Sequence, residues 1–476
     1  MIFSVQWVLP ELYLLLLIIA LFIQAVLHRY LLPPPEKWLP WAAALGILIT
    51  LFSLNQKGLI GFGSYRLDAL SQFFKLTVIT GLTFSVGIAA RQPTLNRDKR
   101  TEYLLFMALS AWGLMLLSST VELISIFLAM ELSTFSLLPL IPVRNEEKGA
   151  AKAAIRYVFF SAAATAIGLF GLSYILATQH TTYLHLMVPA LWRWTSSPLA
   201  VTGLMLFLCA TLFKLALFPF QAWAPDVYEG ASNETAAYIS TLPKLGAAVV
   251  LIRIAAMLRP GLEINTILAC LTAVSMTYGN LAALSQTDIK RLLGYSTVAH
   301  AGYMILGLVA GTAEGLAATA FYAFVYMLMN FTCFWVISKA APDGRNLKLD
   351  DLDGLHTRSP SLALILSVGA LALAGFPPTA GFMGKLFLLS ALWTHEYNWL
   401  VILAAGNMAV AFFYYLNLIR HAYTRHPREP SIEPAGLPVS TRLWGFLLAA
   451  LIILLGIFPS PLFEFALRAG RQLMPF

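Results

Sequence analysis

Apolar residues in this chain come in long unbroken runs separated by short polar segments, without the alternation of a half-buried strand or the one-faced rhythm of a surface helix. A run of about 20 apolar residues is long enough to cross the hydrocarbon core of a bilayer as a helix. Such runs lie near 6–26, 38–56, 68–90, 103–119, 121–142, 153–177, 201–222, 236–257, 264–284, 293–310, 315–338, 361–393, 398–419 and 441–463. The pattern predicts an all-α polytopic membrane protein with about 14 transmembrane helices. Composition agrees, because 59% hydrophobic and 11% charged residues with a mean hydropathy of +0.75 cannot describe a soluble globule.

Charge sets the expected orientation. With the N-terminus outside, the loops on the cytoplasmic side hold about 20 of the 31 Lys and Arg and the outer loops about 7. Most of the bias comes from Arg91 to Arg100, Arg144 to Arg156, Lys339 to Arg358 and Arg420 to Arg442. Both termini are therefore expected on the periplasmic side, and the net charge of +8 reflects topology rather than nucleic-acid binding. The first run has no basic n-region or cleavage site, so it reads as a retained helix.

Redox chemistry finds no support in the residues. Cys209, Cys270 and Cys333 lie far apart in apolar runs and read as inert core residues. Of the eight histidines only His300 lies well inside a run, whereas bis-His haem ligation needs two at facing depths. Neither a P-loop nor a GxGxxG after a strand is present. No metal and no cofactor are expected in this chain.

The remaining four basic residues, Lys75, Lys214, Lys244 and Lys385, fall within apolar runs, where a charge costs several kcal/mol unless something answers it. Pro219 follows Lys214 and Pro377 and Pro378 precede Lys385, so these two lysines are expected on interrupted helices with freed backbone groups; Pro243, before Lys244, is expected close to a helix start. Lys75 lies only about two turns into its run, and a snorkelling stem accounts for it. Glu131, in LISIFLAMELSTFSLL, is mid-membrane and wants a cation, whereas Glu122 is expected at the outer interface.

Ser296, His300 and Tyr303 share one helical face, and His300 can change charge near neutral pH; a satisfied core histidine is the plainer alternative, but the polar neighbours on that face read as a hydrated stripe rather than a dry pocket. Tyr322, Tyr326 and Asn330 form a similar stripe, which serves equally well as glue between helices. Asp226, Glu229 and Glu234 crowd a cytoplasmic segment without Lys or Arg, readable as a proton-collecting mouth, a docking surface or a solvated turn. Lys290 and Arg291 read as a topology anchor.

At this point three long segments, FKLALFPFQAWAPDVYEGA, ALSQTDIKRLLGYSTVAHAGY and LAGFPPTAGFMGKLFLL, resemble in order the signature segments of the antiporter-like membrane subunits of bacterial respiratory complex I, NADH-quinone oxidoreductase. DVYEG, the lysine at 385 and the end of the chain soon after the fourteenth run favour the N type over the M and L types. The resemblance implies helices 1–3 within 1–100, two inverted five-helix repeats over 101–258 and 262–424, each with one broken helix, the seventh and the twelfth, and a last helix within 440–476.

It also implies a proton pathway through Glu131, Lys214, Lys244, His300 and Lys385. The chain would work in the bacterial inner membrane with other membrane and peripheral subunits, which would handle NADH and quinone and carry FMN and iron–sulfur clusters. Where the family pairs its glutamate with a lysine on the sixth helix, this chain has Arg156, which stays protonated and cannot relay by titrating; Lys152, one turn earlier, is the alternative partner. A common histidine is replaced by Gln221, and SNET stands where a proline is usual, adding Glu234. Desolvation favours a neutral amine and a nearby carboxylate restores its proton, so parting Glu131 from its cation would release the Lys214 proton toward Lys244. The competing readings are an Mrp-type cation/proton antiporter subunit and a non-pumping membrane scaffold.

Overall fold

The computed structural model describes residues 5–27, 33–90, 92–95, 97–143, 148–258, 262–393, 397–424 and 439–474. Parts of the basic segments used above for orientation, residues 91, 144–147 and 425–438, lie outside the described residues. α1 (Leu9–Val26) and α2 (Pro35–Ser53) precede a short antiparallel hairpin, β1 (Gly58–Ile60) and β2 (Tyr65–Leu67). There follow α3 (Ala69–Ala89), α4 (Arg97–Ser119), α5 (Leu123–Leu137), α6 (Lys148–Gln179), α7 (Pro198–Leu215), α8 (Trp223–Gly230) and α9 (Asn233–Leu258). The second half holds α10 (Leu262–Leu284), α11 (Ile289–Ala310), α12 (Ala313–Ala340), the single turn α13 (Leu355–Arg358), α14 (Pro360–Ala374), α15 (Ala380–Trp393), α16 (Asn398–Thr424), α17 (Val439–Ile457) and α18 (Ser460–Leu473).

Each apolar run of the sequence falls on a helix or on a pair of helices. Among the described residues, ten helices qualify by length and hydropathy as membrane spans, or eleven when the bent pair α17–α18 is taken as one. α5, α14 and α15 are apolar but shorter. The last run departs from expectation: α17 stops at Ile457, and α18 turns away by 71° to pack on α12 and α3.

The order of elements repeats. Two packed helices (α4 with α5, then α10 with α11) are followed by a long helix (α6, then α12), a broken one (α7–α8, then α14–α15) and a closing one (α9, then α16). At the centre lie α9, α11 and α12, each buried over 94% of its apolar window, and α9 packs against α3, α4, α7, α8 and α12. Helices sealed on every side have no surface to show water, which explains why no amphipathic rhythm marks them in the sequence.

Local chemistry sets the ends. Asp68 caps α3 in a reciprocal box with Ser71, Ser197 caps α7 ahead of Pro198, and Asp288 caps α11. Glu122, expected at an interface, is the cap of α5: its carboxylate accepts from the amides of Ile124 and Ser125 at 3.1 and 2.7 Å.

Two expectations about the buried charges need correction. Lys75 does not snorkel: it is fully buried, 2.5 Å from Glu11 of α1, which also accepts from the Tyr65 hydroxyl. An opposite charge brought by another helix made a route to the surface unnecessary. Pro243 is not near a helix start either, since α9 runs ten residues before it. It sits mid-helix, where its ring removes one backbone hydrogen bond immediately before Lys244.

Candidate functional site: a line of buried lysines at broken helices

α7 ends because Ala216 turns left-handed (φ 61°), and the chain resumes as α8 only at Trp223. α14 likewise ends at Gly375 (φ 89°), where a side chain would be strained, and α15 begins at Ala380. The last carbonyls of a helix have no partner within it and carry the negative end of its dipole. Both breaks therefore place bare acceptors deep in the protein.

Lys214, in the last turn of α7, donates to the carbonyl of Met130 on α5 at 3.0 Å and to the Thr134 hydroxyl. Both acceptors flank Glu131, the acid whose charge acts on Lys214, although Glu131 itself accepts from Thr165 of α6 at 3.0 Å. Lys244 reaches from α9 to the freed carbonyl of Lys214 at 2.5 Å, with its ammonium 4.5 Å from the Trp223 ring centre. The ring face is electronegative and favours a cation. Because the two amines share one helix end, a proton on either disfavours a proton on the other.

In the second half Lys385 lies beyond the break and folds back over it. It donates to the carbonyls of Leu373 and Ala374 at 2.9 and 3.0 Å and stands 4.8 Å from the Tyr303 ring centre. Lys385 is fully buried and has no ion pair among the described residues. The close approach depends on small residues: any side chain at Gly381 would run into the carbonyl of Ala372.

His300 of α11 lies within the second half, between α12 and α16. Its Nδ1 lies 2.6 Å from the Tyr322 hydroxyl and its Nε2 3.1 Å from that of Tyr415. The imidazole is thus satisfied at both nitrogens and can relay a proton by exchanging tautomers. Toward Lys244, the Tyr326 hydroxyl contacts the Thr297 hydroxyl at 2.9 Å and the carbonyl of Ser240 at 3.1 Å; toward the far side, Tyr414 donates to Asn280, which donates to Asn407. The stripes on α11 and α12 therefore face each other, and Glu131, Lys214, Lys244, His300 and Lys385 fall along one polar line.

Arg156 and Lys152 do not join that line. Arg156 pairs with Asp226 of α8, nine residues along α6 from the Thr165 that binds Glu131, which is roughly 13 Å of helix. Lys152 is exposed and shares a surface cleft with Arg156, Asp226, Glu229 and Arg291. Arg291 bonds both Asp226 at 2.9 Å and Glu229 at 2.7 Å, while Lys290 donates to the carbonyl of Ala231 just past α8. The acids of α8 thus find their cations on α6 and α11, which the local sequence around them does not contain.

Several residues of the network escaped sequence reading. Thr134, Thr165, Tyr415 and Asn280 are common residues in apolar runs, and only their partners mark them; Trp223 was visible beside the break but gave no sign of lying over a lysine. Among the described residues one group, Asp350, Asp353 and His421, could approach a cation, and its His421 Nδ1 is 2.6 Å from Asp353.

The sequence profile described as NADH:quinone oxidoreductase/Mrp antiporter, TM matches residues 120–411, which contain every residue of the line. The chain is 53% identical over 99% of its length to all of NADH-quinone oxidoreductase subunit N 2 of Solidesulfovibrio magneticus. Among solved structures it is 31% identical to a chain of respiratory complex I from Thermus thermophilus, covering 96% of this chain and 98% of that one with a TM-score of 0.83. A chain of the Mrp complex from Dietzia sp. matches with a TM-score of 0.86 over 99% and 98% of the two chains but at 17% identity, a likeness of fold alone. By full-length identity and by fold, the chain belongs to the subunit N family of NADH-quinone oxidoreductase, the antiporter-like membrane subunits of respiratory complex I.

Proposed function

We propose that this subunit translocates protons through Glu131, Lys214, Lys244, His300 and Lys385, coupled to electron transfer from NADH to quinone in its partner subunits. The observation that carries the reading is the placement of Lys244 and Lys385 on the carbonyl ends of two broken helices. Such a lysine is held by dipoles and ring faces instead of a locked ion pair, so it can lose its proton without leaving a buried acid behind. Glu131 is the exception and supplies the control: as its field on Lys214 strengthens or weakens, the shared helix end passes the proton to or from Lys244.

In this reading the five-helix units 101–258 and 262–424 are inverted repeats, and each opens a half-channel to one side. Both termini face the periplasm, the membrane is the bacterial inner membrane, and FMN and iron–sulfur clusters reside in peripheral partners. Arg156 tethers α6 to α8 rather than charging Glu131, and Lys152 remains at the aqueous rim.

The test is Lys244→Ala and Lys244→Arg in the assembled complex, reconstituted in proteoliposomes. Both variants are expected to lose about a hundredfold in quinone-linked proton pumping, since arginine keeps the charge but not the titration. Pumping by Lys244→Arg at the wild-type rate would sink titration at this position as the mechanism.

A further inference from the structure

The three acids Asp226, Glu229 and Glu234, close together in sequence, separate in the fold. Asp226 and Glu229 are engaged by Arg156 and Arg291 in a surface cleft. Glu234 instead turns inward at the start of α9 and is 1% exposed. Its Oε1 accepts from the Thr94 hydroxyl at 2.9 Å, while its Oε2 has no protein partner. Beside it, both amide atoms of the fully buried Asn233 are also unpartnered. Three unanswered polar atoms at one place are a binding site for internal water.

From Glu234 a file of hydroxyls leads to the lysine line. On α9, Glu234, Tyr238 and Thr241 share a face, and on α4, Tyr103, Met107 and Ser110 share the face opposite. Tyr103 lies within the field of Glu234, and its hydroxyl is 2.9 Å from that of Thr235. The Tyr238 hydroxyl donates to the carbonyl of Met107 at 3.1 Å and lies beside the hydroxyl of Ser110. Ser110 is 3.0 Å from Ser133 of α5, and the next residue, Thr134, accepts from Lys214. At the aqueous end, half-buried Lys339 feels the charge of Glu234 and donates to Gln92 at 3.2 Å. Lys339 joins Glu234 to the face that carries the basic loop 339–358.

We infer that Glu234 is a proton-loading group for Lys214, fed from the side of Lys339 and connected through Tyr103, Thr235, Tyr238, Ser110, Ser133 and Thr134. This rests on the lysine pathway proposed above. In one transfer the carboxylic acid of Glu234 gives a proton to water held at Asn233, each hydroxyl accepts one proton and passes on another, and a neutral Lys214 becomes an ammonium. The carboxylate left behind is reloaded from the aqueous side. The cleft of Asp226 and Glu229, saturated by arginines, then holds the break together and does not deliver protons.

The experiment compares Glu234→Gln, Glu234→Asp and Lys244→Ala in assembled complex in proteoliposomes, scoring protons pumped per electron transferred and the infrared band of a protonated carboxyl group. Glutamine still accepts from Thr94, so a structural role predicts no loss. As a loading group, Glu234→Gln should slow pumping about tenfold and remove the carboxyl band, and Glu234→Asp should restore most of both. If Glu234→Gln pumps at the wild-type rate while Lys244→Ala does not, the loading role falls and the lysine pathway stands. If Lys244→Ala also pumps normally, both fall. Should Glu234→Gln fail to assemble, Tyr103→Phe and Ser110→Ala, which each remove a single hydroxyl, carry the same test; wild-type pumping in both would overturn the file.

Discussion

The two broken helices solve one problem in opposite ways. At the α7–α8 break the lysine stands before the gap, leans on α5 beside Glu131, and lends its own carbonyl to a second lysine from α9. At the α14–α15 break the lysine stands after the gap and reaches back to the preceding arm, beside the Tyr303 ring and with no ion pair among the described residues. In the proposed pathway the first arrangement holds the switch, because two amines share one helix end and the charge of Glu131 acts on one of them. The second contains only dipoles of fixed strength, so its charge must follow from hydration and from the cation state of its neighbours. On the pathway proposed above, control and passage would thus be divided between the halves.

Removing the amine at the passive end should have the largest effect. Lys385→Ala leaves the carbonyls of Leu373 and Ala374 with no donor and no proton carrier, so pumping should drop about a hundredfold. Lys385→Glu should be at least as damaging, since a carboxylate would face the negative end of α14. A Lys385→Glu complex that pumps normally would break the contrast between the two ends.

At the controlled end Glu131→Gln should cost less, about tenfold, because it removes the switch and leaves both amines in place. The comparison is sharpened by the double change Glu131→Gln with Thr134→Val, which also takes away a Lys214 acceptor. If the double variant is no worse than Glu131→Gln alone, the two act as one unit; an additive loss would show that Thr134 holds the lysine independently.

Between Lys244 and Lys385, the tyrosines make His300 easy to satisfy and easy to bypass. His300→Gln keeps a donor and an acceptor in the same space, so pumping is expected to fall only about threefold, or roughly 0.65 kcal/mol of barrier. Tyr322→Phe in the same assay should fall less. A loss with His300→Gln equal to that of Lys385→Ala would make the imidazole an obligatory carrier.

The sequence carried the lysines and breaks because charge and proline are rare in apolar runs and stand out one residue at a time. What it could not carry was pairing. Glu11 and Lys75 come from different helices, as do Asp68 and Arg253, whose bidentate contacts of 2.9 and 3.0 Å lie on the far side of Lys244 from Glu234. Hydroxyls were equally silent, because Ser and Thr bonded to their own helix carbonyl cost little anywhere in a membrane span, and only the neighbouring helix decides which of them form a file. The acids at 226, 229 and 234 show both limits: one motif by spacing, two separate environments by packing.

Arg156 gives the smallest expected effect and the finest test of this division. By the family resemblance it stands where a cation for Glu131 is expected, and in that role its loss would match that of Glu131→Gln. In the fold it pairs with Asp226, and Arg291 holds the same carboxylate from α11, so the tie between α6 and α8 is doubly made. An exposed pair of this kind contributes about 0–1 kcal/mol. Arg156→Ala should therefore change pumping less than about threefold and show itself mainly as looser assembly, which Asp226→Asn reproduces without adding to it. Lys152→Ala should be indistinguishable from wild type, since its side chain meets water. Pumping normalised to assembled complex decides the matter: a tenfold loss in Arg156→Ala that Asp226→Asn does not share would return the arginine to Glu131 and remove the separation between the control end and the rim.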